Sequence, residues 1–100
     1  MDLQQRVLLA IQERRLVTLD YDAKGERIVE PYALCESSLG ELLVVGYQRS
    51  GYSESGRPSG WRTFQLKRLT GLSLGAEIFS RRADFNPGNN RRFKTVIAEV

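Results

Sequence analysis

Beyond its first fifteen or so residues, the chain is cut into short runs of alternating apolar residues, each ended by a turn signal. Val17, Leu19 and Tyr21 alternate with Thr18, Asp20 and Asp22, which predicts a strand with one wet face. Lys24-Gly25 supplies a tight turn, because glycine accepts positive φ. A second strand is expected from about Arg27 to Glu36, with Ile28, Tyr32 and Leu34 on one alternation and Glu30 among them. Pro31 has no amide to give a ladder, so it predicts an edge position or a bulge. Ser37-Ser38-Leu39-Gly40 is the next turn, and the apolar run Leu42 to Tyr47 should be covered on both faces. After a break at Thr70-Gly71, Leu72, Leu74, Ala76 and Ile78 alternate as a fifth strand.

Ahead of these strands, residues 2–15 read as an amphipathic helix. Asp2 is a suitable N-cap, Gln5 completes a capping box, and Leu3, Val7, Ala10 and Ile11 follow helical spacing. Arg14 and Arg15 would complement the negative end of the helix dipole. The fold class is therefore mainly β with one N-terminal helix: a small, five-stranded, strongly bent antiparallel sheet or barrel.

The fourth strand carries the chemistry. Trp61 to Leu69 reads as one strand whose single face holds Arg62, Phe64, Leu66 and Arg68. Guanidinium groups at both ends of an apolar row make a greasy floor rimmed by cations, which suits a planar, anionic ligand. Before it, residues 50–60 form a Gly/Ser-rich loop, read as a flexible connection with Tyr52 and Arg57 as candidate contacts. Gly51 and Gly56 have phosphate-loop spacing, but Arg57-Pro58 stands where that motif needs lysine and a hydroxyl. Residues 1–79 read as one domain. Residues 80–100 read as a basic extension with Pro87-Gly88 as a stop and Phe93 to Val100 as a further strand, in this chain or on a neighbour's sheet edge.

Charge is unevenly spread. Residues 1–60 carry seven basic and nine acidic side chains, whereas residues 61–100 carry eight basic and three acidic ones. Such concentration points to an anionic partner, with a solvated face that keeps the protein soluble as an equal alternative. The chain has no histidine and one cysteine, Cys35, which rules out Ser-His or Cys-His nucleophiles and an internal disulfide, and argues against a zinc site. No cofactor is implied. With no long apolar run and no basic-then-apolar opening, no membrane partner is expected, and the location expected is cytoplasmic.

Five blocks in order resemble the WYL domain: Ala10-Ile11-Gln12-Glu13-Arg14-Arg15, Leu19-Asp20-Tyr21, Val29-Glu30-Pro31-Tyr32-Ala33-Leu34, Leu42 to Tyr47, and Trp61 to Leu69. The resemblance covers roughly residues 5–85, including the tail Arg82-Ala83-Asp84-Phe85. It implies an Sm-like small β-barrel preceded by a helix, acting as a bacterial ligand-sensing module in control of transcription, defence or DNA-damage systems. The ligand class it implies is nucleic acid, single-stranded DNA in particular. The family's Trp-Tyr-Leu triplet is Leu42-Leu43-Val44 here, so an aromatic pair is missing, for which Trp61 or Tyr47 would have to compensate. These 100 residues hold no helix-turn-helix segment, so a free-standing module or a separate effector protein is expected.

The resemblance puts Arg62 and Arg68 first as ligand-binding residues, since guanidinium binds phosphate bidentately and stacks on bases. Their rival role is structural, with Arg68 closing an ion pair on Glu30. Tyr21, Tyr47 and Trp61 are candidate stacking surfaces, although aromatics in small barrels are more often core. Arg27 and Lys67 could steer phosphates or simply be solvated, and Arg81, Arg82, Arg91, Arg92 and Lys94 would add sequence-independent attraction. Cys35 reads as packing, and the acids form no recognisable catalytic pair. The reading is a non-enzymatic module for nucleic acid or a nucleotide-like anion. The alternative is a protein–protein or homo-oligomerisation module working through an edge strand or the C-terminal segment.

Overall fold

A computed structural model describes residues 1–85 and 93–100; Pro87-Gly88, Arg91 and Arg92 lie outside the described residues. Helix α1 spans Leu3–Glu13, followed by strands β1 (Arg15–Tyr21), β2 (Glu26–Ser37), β3 (Leu42–Gly51) and β4 (Gly60–Gln65). A 3-10 turn at Leu66–Arg68 leads into β5 (Leu69–Ile78), and β6 is Phe93–Glu99. The strands form one antiparallel sheet in the order β4-β3-β2-β1-β5, with β6 pairing to β2. The expected helix and small bent sheet are therefore present. The sheet has a sixth strand, paired within the chain, and β4 and β5 at the ends of the path do not pair to close a barrel.

Asp2 caps α1 through its side chain to the Gln5 amide at 2.8 Å, and Gln5 returns a bond to the Asp2 amide at 3.0 Å. The helix stops one residue short of the two expected arginines: Arg14 is the left-handed C-cap at φ 54°, and Arg15 already starts β1. Val7, Ala10 and Ile11 of α1 are buried against Val17, Leu19, Val29, Leu34, Val44 and Phe64 of the sheet. Each large apolar side chain buried here contributes roughly 1.5–3 kcal/mol.

The bulge expected at Pro31 is present, and it reorganises the face pattern. The β2–β3 register shifts between Pro31 and Ala33, and Pro31 itself falls between the stretch of β2 paired to β1 and the stretch paired to β6. An extra residue reverses the alternation. Val29 and Leu34 consequently share one core, while Tyr32, Ala33 and Cys35 join a second one with Leu16, Phe79 and Phe85. The single alternation read through Ile28, Tyr32 and Leu34 does not survive: Ile28 is exposed, and the other two lie in different cores.

The run from Trp61 to Leu69 is not one strand either. β4 pairs with β3 as far as Gln65, whose amide bonds to the Tyr21 hydroxyl at 3.0 Å, and the chain then turns through Leu66–Arg68. Leu66 thereby leaves the row and faces a separate groove with Leu3 and Leu42.

Candidate functional site

Where β1 ends and β2 begins, a cavity of about 440 Å³ opens between Tyr21, Arg27, Arg62, Phe64 and Arg68. That volume lies in the ordinary range for small-ligand sites. Ser53, Glu54 and Ser55 form one wall, and the segment 52–59 that carries them is tied down rather than a loose connection. The Tyr52 amide bonds to the Glu26 carbonyl at 3.0 Å, and the buried Gln48 amide donates to the carbonyls of Tyr52 and Pro58. Gly51, at φ 104°, permits this approach, since a Cβ there would lie 2.3 Å from the Glu26 carbonyl oxygen.

Arg27 is not the solvated residue its position in the sequence suggests; it is 6% exposed. Its guanidinium carbon lies 5.4 Å from the ring centres of Phe64 and Tyr52 and 5.7 Å from that of Tyr21. Its Nη1 donates to Gln48 Oε1 at 3.3 Å, its Nε is buried without a partner, and among the described residues no carboxylate pairs with it. A buried cation held by three rings and one amide is costly to leave uncompensated.

The two arginines expected to act together do share this cavity. Arg62 folds back on its own strand, donating to the Trp61 carbonyl at 3.0 Å and the Arg57 carbonyl at 2.6 Å. A side chain at Gly60 would press on this guanidinium, its Cβ 2.9 Å from Nη1. Arg68 does not pair with Glu30. It forks onto Asp22, with Nε 2.9 Å from Oδ1 and Nη2 in contact with Oδ2, and stacks 4.7 Å from the Tyr21 ring centre. The Arg68 guanidinium holds the Asp22 carboxyl below the ordinary carboxylate range, and Lys24 does the same to Glu54, another residue of the cavity wall.

Tyr47, Trp61 and Lys67 stand elsewhere. Trp61 meets Tyr47 and Tyr32 edge-on at 5.5 and 4.8 Å and stacks with Phe85 at 5.7 Å, on the other side of the sheet. Neither ring therefore replaces the missing Trp-Tyr pair at the arginine cavity. Leu43 and Val44 are buried, and Leu42 lines the groove with Leu66. Lys67 is exposed there, 3.6 Å from Glu41.

Glu30 is satisfied by residues the sequence reading did not connect to it. Its side chain is 2% exposed and accepts from Arg49 Nε at 2.7 Å, from Arg82 Nε and Nη2 at 3.1 Å each, and from the Tyr32 hydroxyl at 3.2 Å. Burial alone would raise its pKa, but hydrogen bonds from Arg82 and Arg49 outweigh that and bring it below the ordinary value. Arg82 also lies 3.6 Å over the Tyr47 ring, and Asp84 accepts from the Trp61 indole at 2.9 Å. The tail Arg82–Phe85 is thus a clasp on the second core. Arg82 belongs to structure, while Arg81 and Lys94 remain exposed.

The comparison with protein families meets this geometry. A family model described as the WYL domain matches residues 2–74, a stretch that contains Tyr21, Arg27, Arg62 and Arg68. The chain belongs to the WYL domain family. Among solved structures, this WYL domain is similar to Proteasome accessory factor B/C (PafBC) of Arthrobacter aurescens, with 27% identity and a TM-score of 0.67. The match covers 85% of this chain and 13% of that one, so the chain spans only a small part of its structural relative. Among curated proteins none matches. Family and neighbour together support a ligand-sensing, regulatory domain in general. No described helix of this WYL domain is long and apolar enough to cross a membrane.

Proposed function

We propose that this WYL domain is a non-enzymatic sensor of nucleic acid, taking a single strand or a nucleotide-like anion into the arginine cavity. One observation carries the reading: Arg27, Arg62 and Arg68, from three separate places in the chain, converge on one concavity with Tyr21 and Phe64 at its base. Arg27 and Arg62 have no carboxylate partner among the described residues and supply the charge for backbone phosphates. Tyr21 is covered by Arg68 and set edge-on to Phe64 at 5.1 Å, and Phe64 is fully buried. Tyr52, 37% exposed beside Arg27, is the ring best placed to stack on a base. Binding rather than proton transfer is favoured, because Glu54 of the cavity wall and Asp22 beside Arg68 are each paired with a cation, which weakens them as bases. The domain would act in the cytoplasm on a transcription, defence or DNA-damage system, through its own or a separate effector.

The test is a fluorescence-anisotropy titration of single-stranded DNA with the wild-type chain and the Arg62→Glu, Arg68→Glu double variant. The variant should bind at least about tenfold more weakly while unfolding as cooperatively as the wild type. Equal affinities would remove the site assignment.

A second reading, self-association or docking through the C-terminal strand, rests on β6, where Val96 and Ile97 are 40% and 43% exposed. Light scattering across a concentration series tests the self-association arm, which a monomer throughout would rule out.

A further inference from the structure

Arg68 already holds an anion through the two-pronged contact that a phosphate would also accept. Its Nε and Nη2 grip the two oxygens of Asp22 in the fork geometry that guanidinium also offers to phosphate. We infer that Asp22 is an internal counter-ion of Arg68, exchanged for a phosphate when an anionic ligand binds. The inference rests on the reading of the cavity as a nucleic-acid site and adds a device that sets its affinity.

The turn beside Arg68 does not need this carboxylate to keep its shape. The Asp22 amide bonds to the Arg68 carbonyl at 3.0 Å, the Ala23 amide to Thr70 Oγ1 at 3.1 Å, and Thr70 Oγ1 to the Asp20 carbonyl at 3.2 Å. Three bonds that involve no carboxylate thus pin residues 20–23 against the start of β5. The ion pair itself is accessible, with the Arg68 side chain 45% and the Asp22 side chain 24% exposed, so exchange requires no opening of the core. The arrangement is repeated along the rim, where Lys24 pairs with Glu54 of the cavity wall. Arg68 and Lys24 are thus each neutralised by a carboxylate, whereas Arg27 and Arg62 are not.

Position 22 also offers a clean substitution. Its φ of 57° is left-handed, a conformation that asparagine and glycine accept readily. Asp22→Asn keeps the shape and removes the charge, with Asp22→Gly as a second variant should the first fold poorly.

The experiment titrates a short, labelled single-stranded oligothymidine with wild type, Asp22→Asn, Arg68→Met and Asp22→Asn/Arg68→Met across a salt series. Glu13→Gln, an equal change of charge at the end of α1, is the control. Asp22→Asn should bind about fivefold tighter, the upper worth of an exposed ion pair. Its log–log salt slope should be steeper by about 0.7, because no freed carboxylate takes up a counterion when Arg68 meets phosphate. Glu13→Gln should match the wild type, and Asp22→Asn should gain nothing once Arg68 is methionine. Wild-type binding with no gain in Asp22→Asn or Asp22→Gly, or a gain that persists in the Arg68→Met background, overturns the counter-ion role and leaves the cavity reading intact. No binding by any of the proteins at low salt overturns both.

Discussion

Arg82 closes on Glu30 with two nitrogens, Nε and Nη2, each 3.1 Å from a carboxylate oxygen, across a sequence separation of 52 residues. The contact pins the segment after β5 to the middle of β2, with Phe79 and Phe85 in the second core. Arg49 shares the same carboxylate and reaches on to Glu77 at 2.6 Å.

Glu30→Gln should therefore destabilise the domain by about 3 kcal/mol, the low end for breaking a buried ion pair, because both cations keep access to water. Urea unfolding followed by Trp61, the single tryptophan, checks this, since its ring stacks on Phe85 and its indole N–H bonds Asp84. A variant as stable as wild type would show that the clasp does not hold the tail.

The same carboxylate gives a pH signature. The folded pKa of Glu30 is depressed, so its contribution is fully present above the unfolded value of roughly 4.3 and is lost as pH falls through the folded one. Unfolding free energies of wild type and Glu30→Gln should differ by a constant amount from pH 7 to pH 5 and converge in more acid solution. Asp22 and Glu54 titrate in the same direction but are common to both proteins, so the difference isolates Glu30. A difference that stays constant down to pH 3 would contradict the assignment.

Cys35 should be silent in the folded protein. It is fully buried, and burial followed by the nearby Glu99 charge pushes its thiol pKa up to about 11. Alkylation at pH 8 should track global unfolding, with the rate rising in step with urea. Rapid labelling without denaturant would mean that β6 and the tail open independently of the rest.

Much of this fold was legible because local chemistry decides it. The Asp2–Gln5 capping box and the Pro31 bulge each depend on residues close in sequence, and both stand as expected. The meeting of Arg62 and Arg68 was also expected, though the route was not. A continuous strand would align them by alternation, whereas the structure uses a 3-10 turn that sends Leu66 away and returns Arg68. What stayed hidden depends on contacts between distant segments. Arg27 sits at the start of a strand and reads as solvated, until Tyr21, Tyr52 and Phe64 from three other stretches enclose it. Gln48 gave a faint signal as a lone amide closing an apolar run, and it proves to organise the loop above Arg27. Trp61 and Tyr47 were candidate stacking surfaces with a core role as the commoner alternative, and the pleat sends both to the opposite face, against the second core.

The central claim, that cations in one concavity capture a polyanion, is tested most directly by the salt dependence of single-strand binding to the unmodified chain. Phosphates on Arg27 and Arg62 alone release counterions worth about 0.7 each in the log–log slope, so log K should fall against log salt with a magnitude of at least about 1.4. A flat slope, or no binding at low salt, would contradict it.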